Sequence, residues 1–203
     1  DEKTTETPIT KGVTYTNIKK LTENGWSNLH LLKADMKEEG VGFKVLFNEN
    51  LTMNSTVLQF AKASSDVVAA INADFFTGYS GKNASEGMII SDGEFITSPS
   101  NDVNYATIGI DENKNIFTDY FKFRIVVKSE STGNSSEVQF YNKVAPAFYL
   151  KIYDRNFGTH SPGSMDDGCE VVIKDGVVES INSNKEGLEI PENGYIIANS
   201  LRH

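Results

Sequence analysis

The chain has 203 residues, with 28 Asp plus Glu against 19 Lys plus Arg and a formal net charge of −9. That length suits one domain, or one and a part. The acidic balance disfavours a nucleic-acid or anionic-membrane partner, because both are held by a basic face that releases counterions. Apolar and charged fractions sit near globular norms, so the chain as a whole reads as folded. The single cysteine, Cys169, excludes an intrachain disulfide. Such poverty in cysteine fits the cytosol and equally a secreted Gram-positive protein. No run approaches the ~20 apolar residues of a membrane helix.

Residues 1–11 are polar and Thr-rich. They read as a disordered or linker leader that once followed a signal peptide or tether, with the domain proper at 12–203. Asn-x-Ser/Thr triplets at Asn50, Asn54, Asn83 and Asn134 match the glycosylation pattern, which arises by chance in a sequence this rich in Asn and Ser.

Residues 12–18 alternate as a half-buried strand does, and residues 29–36 make a second strand. Trp26 reads as a plug for the core. His30, flanked by Leu29 and Leu31, reads as a hydrogen-bonded structural histidine in preference to a catalytic base. Residues 41–47 alternate again, with Phe43, Val45 and Phe47 on one face. A helix follows, with Asn54 or Ser55 as N-cap and an apolar stripe of Val57, Leu58, Phe60, Ala61 and Ala63 facing the core.

Residues 67–71 form a continuous apolar run, the pattern of a strand buried on both faces. It leads into Asn72 and Asp74 and then the adjacent aromatics Phe75 and Phe76. Polar side chains at the end of such a strand either turn the chain or are put to use, since burying them idle is costly.

The polar, Gly-rich residues 77–87 read as a loop shaping a pocket rim. Residues 88–96 read as a hairpin turning at Asp92-Gly93, 105–110 as a strand, and 111–115 as a turn. Residues 117–128 read as one longer strand, 129–136 as a solvated loop, and 138–141 and 148–153 as strands. Residues 154–167 are a loop holding His160. A second Asp-Gly hairpin is predicted over 170–181, and a turn at 190–194 feeds a final strand. The sum is an α+β fold, mostly antiparallel or mixed β-sheet with one or two short helices.

The segment Ile71-Asn72-Ala73-Asp74-Phe75-Phe76 resembles the signature of the phosphodiester glycosidase family, usually written Ile-Asn-Gly-Gly-Phe-Phe or Ile-Asn-Gly-Asp-Phe-Phe. Further segments fit in order. Gly25-Trp26 followed by residues 31–36 is similar to the family's opening strand, which ends in Asp. The helix before Val67 stands where the family's helix precedes the Asn motif. Glu86-Gly87-Met88-Ile89-Ile90-Ser91-Asp92-Gly93 is similar to its Gly-x-x-Ile-x-Asp-Gly hairpin. The resemblance continues through 148–153, the Asp175-Gly176 hairpin and 190–197. Ala73 departs from the Gly common at its position. The family's later Arg-Thr and Asp-Gly-Gly-Ser segments are absent, so the resemblance reads as the amino-terminal part of such a domain, without its carboxy-terminal part.

The resemblance implies a hydrolase that cleaves sugar-1-phosphodiester linkages of the N-acetylglucosamine type in cell-surface or exopolysaccharide glycans. This chain alone is expected to be inactive or nearly so. Glycoside hydrolysis wants two carboxyl groups flanking the bond, although a phosphate leaving group reduces the demand on the acid. Asp74 is the first candidate catalytic carboxylate and Glu86 the second, with a solvated loop glutamate as the plainer reading of Glu86. Asn72, Phe76 and Tyr79 are candidate substrate-binding residues; Phe75 and Phe76 are also read as packing beneath the site. The resemblance places the protein outside the cell or on its surface, secreted or anchored to the wall, with a carbohydrate or sugar phosphodiester as partner.

Other chemistries find little support. His30, His160 and His203 lack metal-ligand spacing. Cys169 follows an acidic stretch that would not activate a thiol. No phosphate-binding Gly-rich loop occurs, and Asp166, Asp167 and Glu170 do not match a calcium loop. Neither a metal nor a cofactor is expected. The alternative function is a non-catalytic extracellular glycan-binding or cell-wall module, favoured by exposed aromatics such as Tyr79 and Tyr105. A structural interaction domain is the third reading, favoured if Asn72 and Asp74 are fully buried.

Overall fold

The computed structural model describes residues 1–79, 82–100, 105–145, 149–163, 168–183 and 186–200. The molecule is largely β, built from small sheets, with one helix among the described residues. The chain divides into two compact units.

The first unit comprises residues 1–44, 56–72 and 110–116. Strands β1 (Glu2–Thr10), β2 (Val13–Thr22) and β3 (Gly25–Ala34) form an antiparallel meander in that order. Residues 2–10 are thus a strand paired with β2, in place of the expected disordered leader. Four threonines, a residue type that suits extended backbone, offset their polarity. Gly12 makes the turn into β2 at φ 77°, where a side chain would also strike Glu38.

His30 stands opposite Asn17 and bonds the Tyr15 hydroxyl and the Asn28 amide, as a structural histidine does. Trp26 does not plug a core: it is 70% exposed. Alternation reveals which side chains share a face but not whether a second layer covers that face.

Helix α1 (Val57–Ala63) starts one or two residues later than predicted, at Thr56. The Thr56 hydroxyl accepts from the Gln59 backbone N–H, and the Gln59 side chain accepts from the Thr56 N–H. This reciprocal capping box selects Thr56 over Asn54 and Ser55. None of its residues is buried, so the apolar stripe is not core.

Residues 67–71 are not a strand, and Ile71 is 80% exposed. Residues 41–47 likewise lie outside any strand, with Val41 buried but Phe43 and Val45 exposed. Apolar composition favours extended backbone, but a strand forms only where a partner accepts its N–H and C=O groups.

The second unit comprises residues 45–55, 73–109 and 117–203. It begins with the hairpin β4 (Phe76–Tyr79) and β5 (Lys82–Ser85), which replaces the predicted pocket-rim loop. The hairpin β6 (Ile89–Ser91) and β7 (Glu94–Thr97) turns as predicted at Asp92 and Gly93, with φ values of 52° and 80°. Two consecutive positive φ values are what a type I′ turn requires. Strands β8 (Thr107–Ile110) and β9 (Ile116–Asp119) pair around the predicted turn, and β10 (Ile125–Lys128) pairs with β11 (Ser135–Val138). The long strand predicted over 117–128 is therefore two strands. Its aromatics take different neighbours: Phe121 meets Phe117 edge-on, while Phe123 turns to Phe95.

The remaining strands are β12 (Phe140–Tyr141), β13 (Lys151–Tyr153), β14 (Gly168–Lys174), β15 (Val177–Asn182) and β16 (Gly194–Ser200). They form one sheet in the order β12-β13-β16-β14-β15. Only β12 and β13 pair in parallel, and β14–β15 is the second predicted Asp-Gly hairpin, with Asp175 and Gly176 both at positive φ. The core lies on this sheet and consists of Tyr153, Phe157, Val172, Ile190, Ile196 and Ala198. Near it, burial pushes the Glu170 carboxyl pKa up, opposed by the Ser161 hydroxyl and the Lys151 charge.

Candidate functional site

The register of the β4–β5 hairpin brings Asp74 and Glu86 to the same end of one ladder. Phe76 pairs with Ser85, and the Glu86 N–H donates to the Phe75 carbonyl at 3.0 Å, extending the pairing by one step. Asp74 precedes that step and Gly87 follows it. The Gly87 N–H donates to Asp74 Oδ2 at 2.8 Å, and the Phe75 N–H donates to Oδ1 at 2.8 Å. A Cβ at Gly87 would lie 3.0 Å from Asp74 Oδ2, so this close approach wants glycine.

Glu86 is half-buried, not a solvated loop residue. Its carbonyl accepts from the Ser100 N–H at 3.0 Å, and its carboxylate accepts from the Thr77 hydroxyl. The Tyr105 hydroxyl also bonds this carboxylate. Desolvation raises the Tyr105 pKa, and the bond to Glu86 and the charges of Glu86 and Asp74 raise it further. The Phe75 ring lies 6.2 Å from the Tyr105 ring. Glu86, Gly87, Met88, Ser100, Tyr105 and Phe121 line a small cleft here.

Sequence reasoning missed Lys143, which is only 3% exposed. Its ammonium donates to the carbonyls of Ser85 and Gly87 and reaches Ser85 Oγ at 3.3 Å. Burial pushes its pKa down to about 7, while the charges of Asp74 and Glu86 oppose that shift. Asn142, in the left-handed region at φ 53°, immediately precedes it. An Asn at a chain reversal was the one signal available, and it pointed to the backbone and not to the lysine.

The structure therefore unites Asp74, Glu86 and Tyr105. It corrects the placement of Phe75 and Phe76 beneath the site, since they are 70% and 61% exposed. Phe75 precedes β4 and Phe76 opens it, and both rings are exposed. Asn72 is exposed and groups with the first unit. Tyr79 ends β4, and its side chain lies outside the described residues, as do Asp166, Asp167 and His203. Asp74 is half-buried. His160 bonds Thr159, and Cys169 is partly buried in β14. Among the described residues, no group of three or more His, Cys, Asp or Glu is placed to hold a metal ion. No described helix is long and apolar enough to cross a membrane.

Two carboxyl groups backed by ordered N–H and hydroxyl donors and flanked by aromatic rings can bind a sugar, and can serve acid–base or nucleophilic steps. No family model matches the chain, and no curated protein matches it. It is similar to a solved structure described as a hypothetical protein from Synechocystis, at 16% identity and a TM-score of 0.78. That likeness covers 94% of this chain and 36% of the other, and it shows the fold alone.

Proposed function

We propose that this chain contributes Asp74 and Glu86 to a hydrolase acting on sugar-1-phosphodiesters of the N-acetylglucosamine type, in a longer extracellular or cell-surface protein. The observation that carries the reading is the Asp74 carboxylate held by the N–H of Gly87, the residue next to Glu86, with Tyr105 bonded to Glu86 and within the field of both carboxyl groups. A phosphate leaving group departs readily, so the pair would chiefly orient and activate the attacking group at the sugar carbon. Turnover would be measured on an N-acetylglucosamine-1-phosphodiester with this chain and with a longer protein carrying it. Hydrolysis lost in Asp74→Asn and in Glu86→Gln supports the reading; hydrolysis that survives both variants sinks it.

The exposure of Phe75 and Phe76 favours a second reading, a non-catalytic glycan-binding module stacking sugars on these rings. Saccharide binding without turnover, weakened by Phe75→Ala, would select it.

A further inference from the structure

We propose that Lys143 is a positioning residue for the carboxyl pair, clamping the backbone on both sides of Glu86; this rests on the reading of Asp74 and Glu86 as the reactive groups. An ammonium has three N–H donors, and the Lys143 acceptors are the Ser85 carbonyl, the Ser85 hydroxyl and the Gly87 carbonyl. Glu86 stands between the two carbonyls. With Ser85 and Gly87 tied to one buried point, the direction in which Glu86 leaves the backbone is set. So is the aim of the Gly87 N–H at Asp74.

A loop anchor alone would not call for a charge. Carbonyls can be satisfied by a neutral Asn or Ser, whereas burying an ammonium is costly unless charges of opposite sign offset it. Asp74 and Glu86 offset that cost in part, with burial remaining the larger effect on Lys143. The cation thus acts on the pair twice, through backbone geometry and through its field. It is buried from solvent, and its hydrogen bonds go to Ser85 and Gly87.

The test is Lys143→Met, followed by NMR of the Glu86 carboxyl carbon and the Gly87 amide. We expect the Glu86 carboxyl-carbon and Gly87 amide resonances to shift as the clamp and its charge are lost. Gly87 amide exchange should quicken roughly tenfold as the clamp opens. Unmoved resonances and unmoved exchange in a folded variant overturn the proposal. If the Met variant does not fold, the wild-type protein is titrated instead. Gly87 and Glu86 resonances should then follow the loss of the Lys143 proton near neutral pH, and their failure to do so overturns the proposal equally. In a turnover assay Lys143→Met should lower kcat at constant KM, and a loss confined to KM counts against it. Because the NMR readouts need no turnover, absent hydrolysis would remove the proposed function while leaving the clamp to stand or fall by itself.

Discussion

Replacing Asn142 by Ala is expected to be among the most damaging single changes in the second unit. Asn142 is fully buried and holds φ 53°. Its amide donates to the Ile96 carbonyl at 2.8 Å and to Asp154 Oδ1 at 2.6 Å, and its carbonyl oxygen accepts from the Asp154 N–H at 3.0 Å. Each such bond is worth about 1 kcal/mol net, and a buried partner left unsatisfied costs about 1–3 kcal/mol. Alanine in the left-handed region adds roughly 1 kcal/mol that Asn, with its local hydrogen bonding, largely avoids.

The sum for Asn142→Ala is about 4 kcal/mol, a large part of the 5–15 kcal/mol that typically holds a domain. Asn142→Gly loses the same bonds without the steric cost of positive φ, so it should be less damaging by about 1 kcal/mol. Urea unfolding followed by far-ultraviolet circular dichroism measures both. An Ala variant within about 1 kcal/mol of wild type would refute the hydrogen-bond account. Equal costs for Ala and Gly would refute the backbone account.

Gly87→Ala should push the Asp74 carboxylate aside, because the new Cβ would stand 3.0 Å from Oδ2. The expected result is loss of the Gly87–Asp74 bond, seen as a shifted Gly87 amide resonance, with stability reduced by about 1 kcal/mol. Glu170→Gln should stabilise the protein at neutral pH and flatten its pH dependence. The Glu170 pKa is raised by burial, so the native state holds its proton above the unfolded pKa and wild-type stability falls as pH climbs through that value. Urea midpoints at pH 4 and pH 8 check the sign; an unchanged slope in the variant would contradict it. Thr56→Ala should loosen α1 by about 1 kcal/mol, because the Gln59 N–H loses its acceptor; amide exchange in the first turn reports it.

Local chemistry was readable in the sequence, and pairing was not. The Asp92-Gly93 and Asp175-Gly176 hairpins were legible because a type I′ turn demands two residues tolerant of positive φ, a requirement met within the dipeptide itself. The structural role of His30 was legible in part from its apolar neighbours, although the partners Tyr15 and Asn28 came only with the β2–β3 register. The run at 67–71 misled because apolar composition sets a propensity, while burial needs a second surface that the run does not contain.

Asp74 and Glu86 could each be named from the chain. That the Glu86–Gly87 backbone is laid against Asp74 was decided by one tertiary fact, the pairing of Phe76 with Ser85. Lys143 was beyond reach, since 56 residues separate it from the Gly87 carbonyl it holds, and no local pattern encodes so distant a contact. The sequence by itself thus determined the turns and the β-rich class, because these depend on each residue's own backbone preference, and it offered Asp74 and Glu86 as candidate carboxyls through a resemblance. Only the tertiary structure decided which of those carboxyls meet, which apolar runs stay exposed and which lysine stands behind the pair, because each depends on a partner far along the chain.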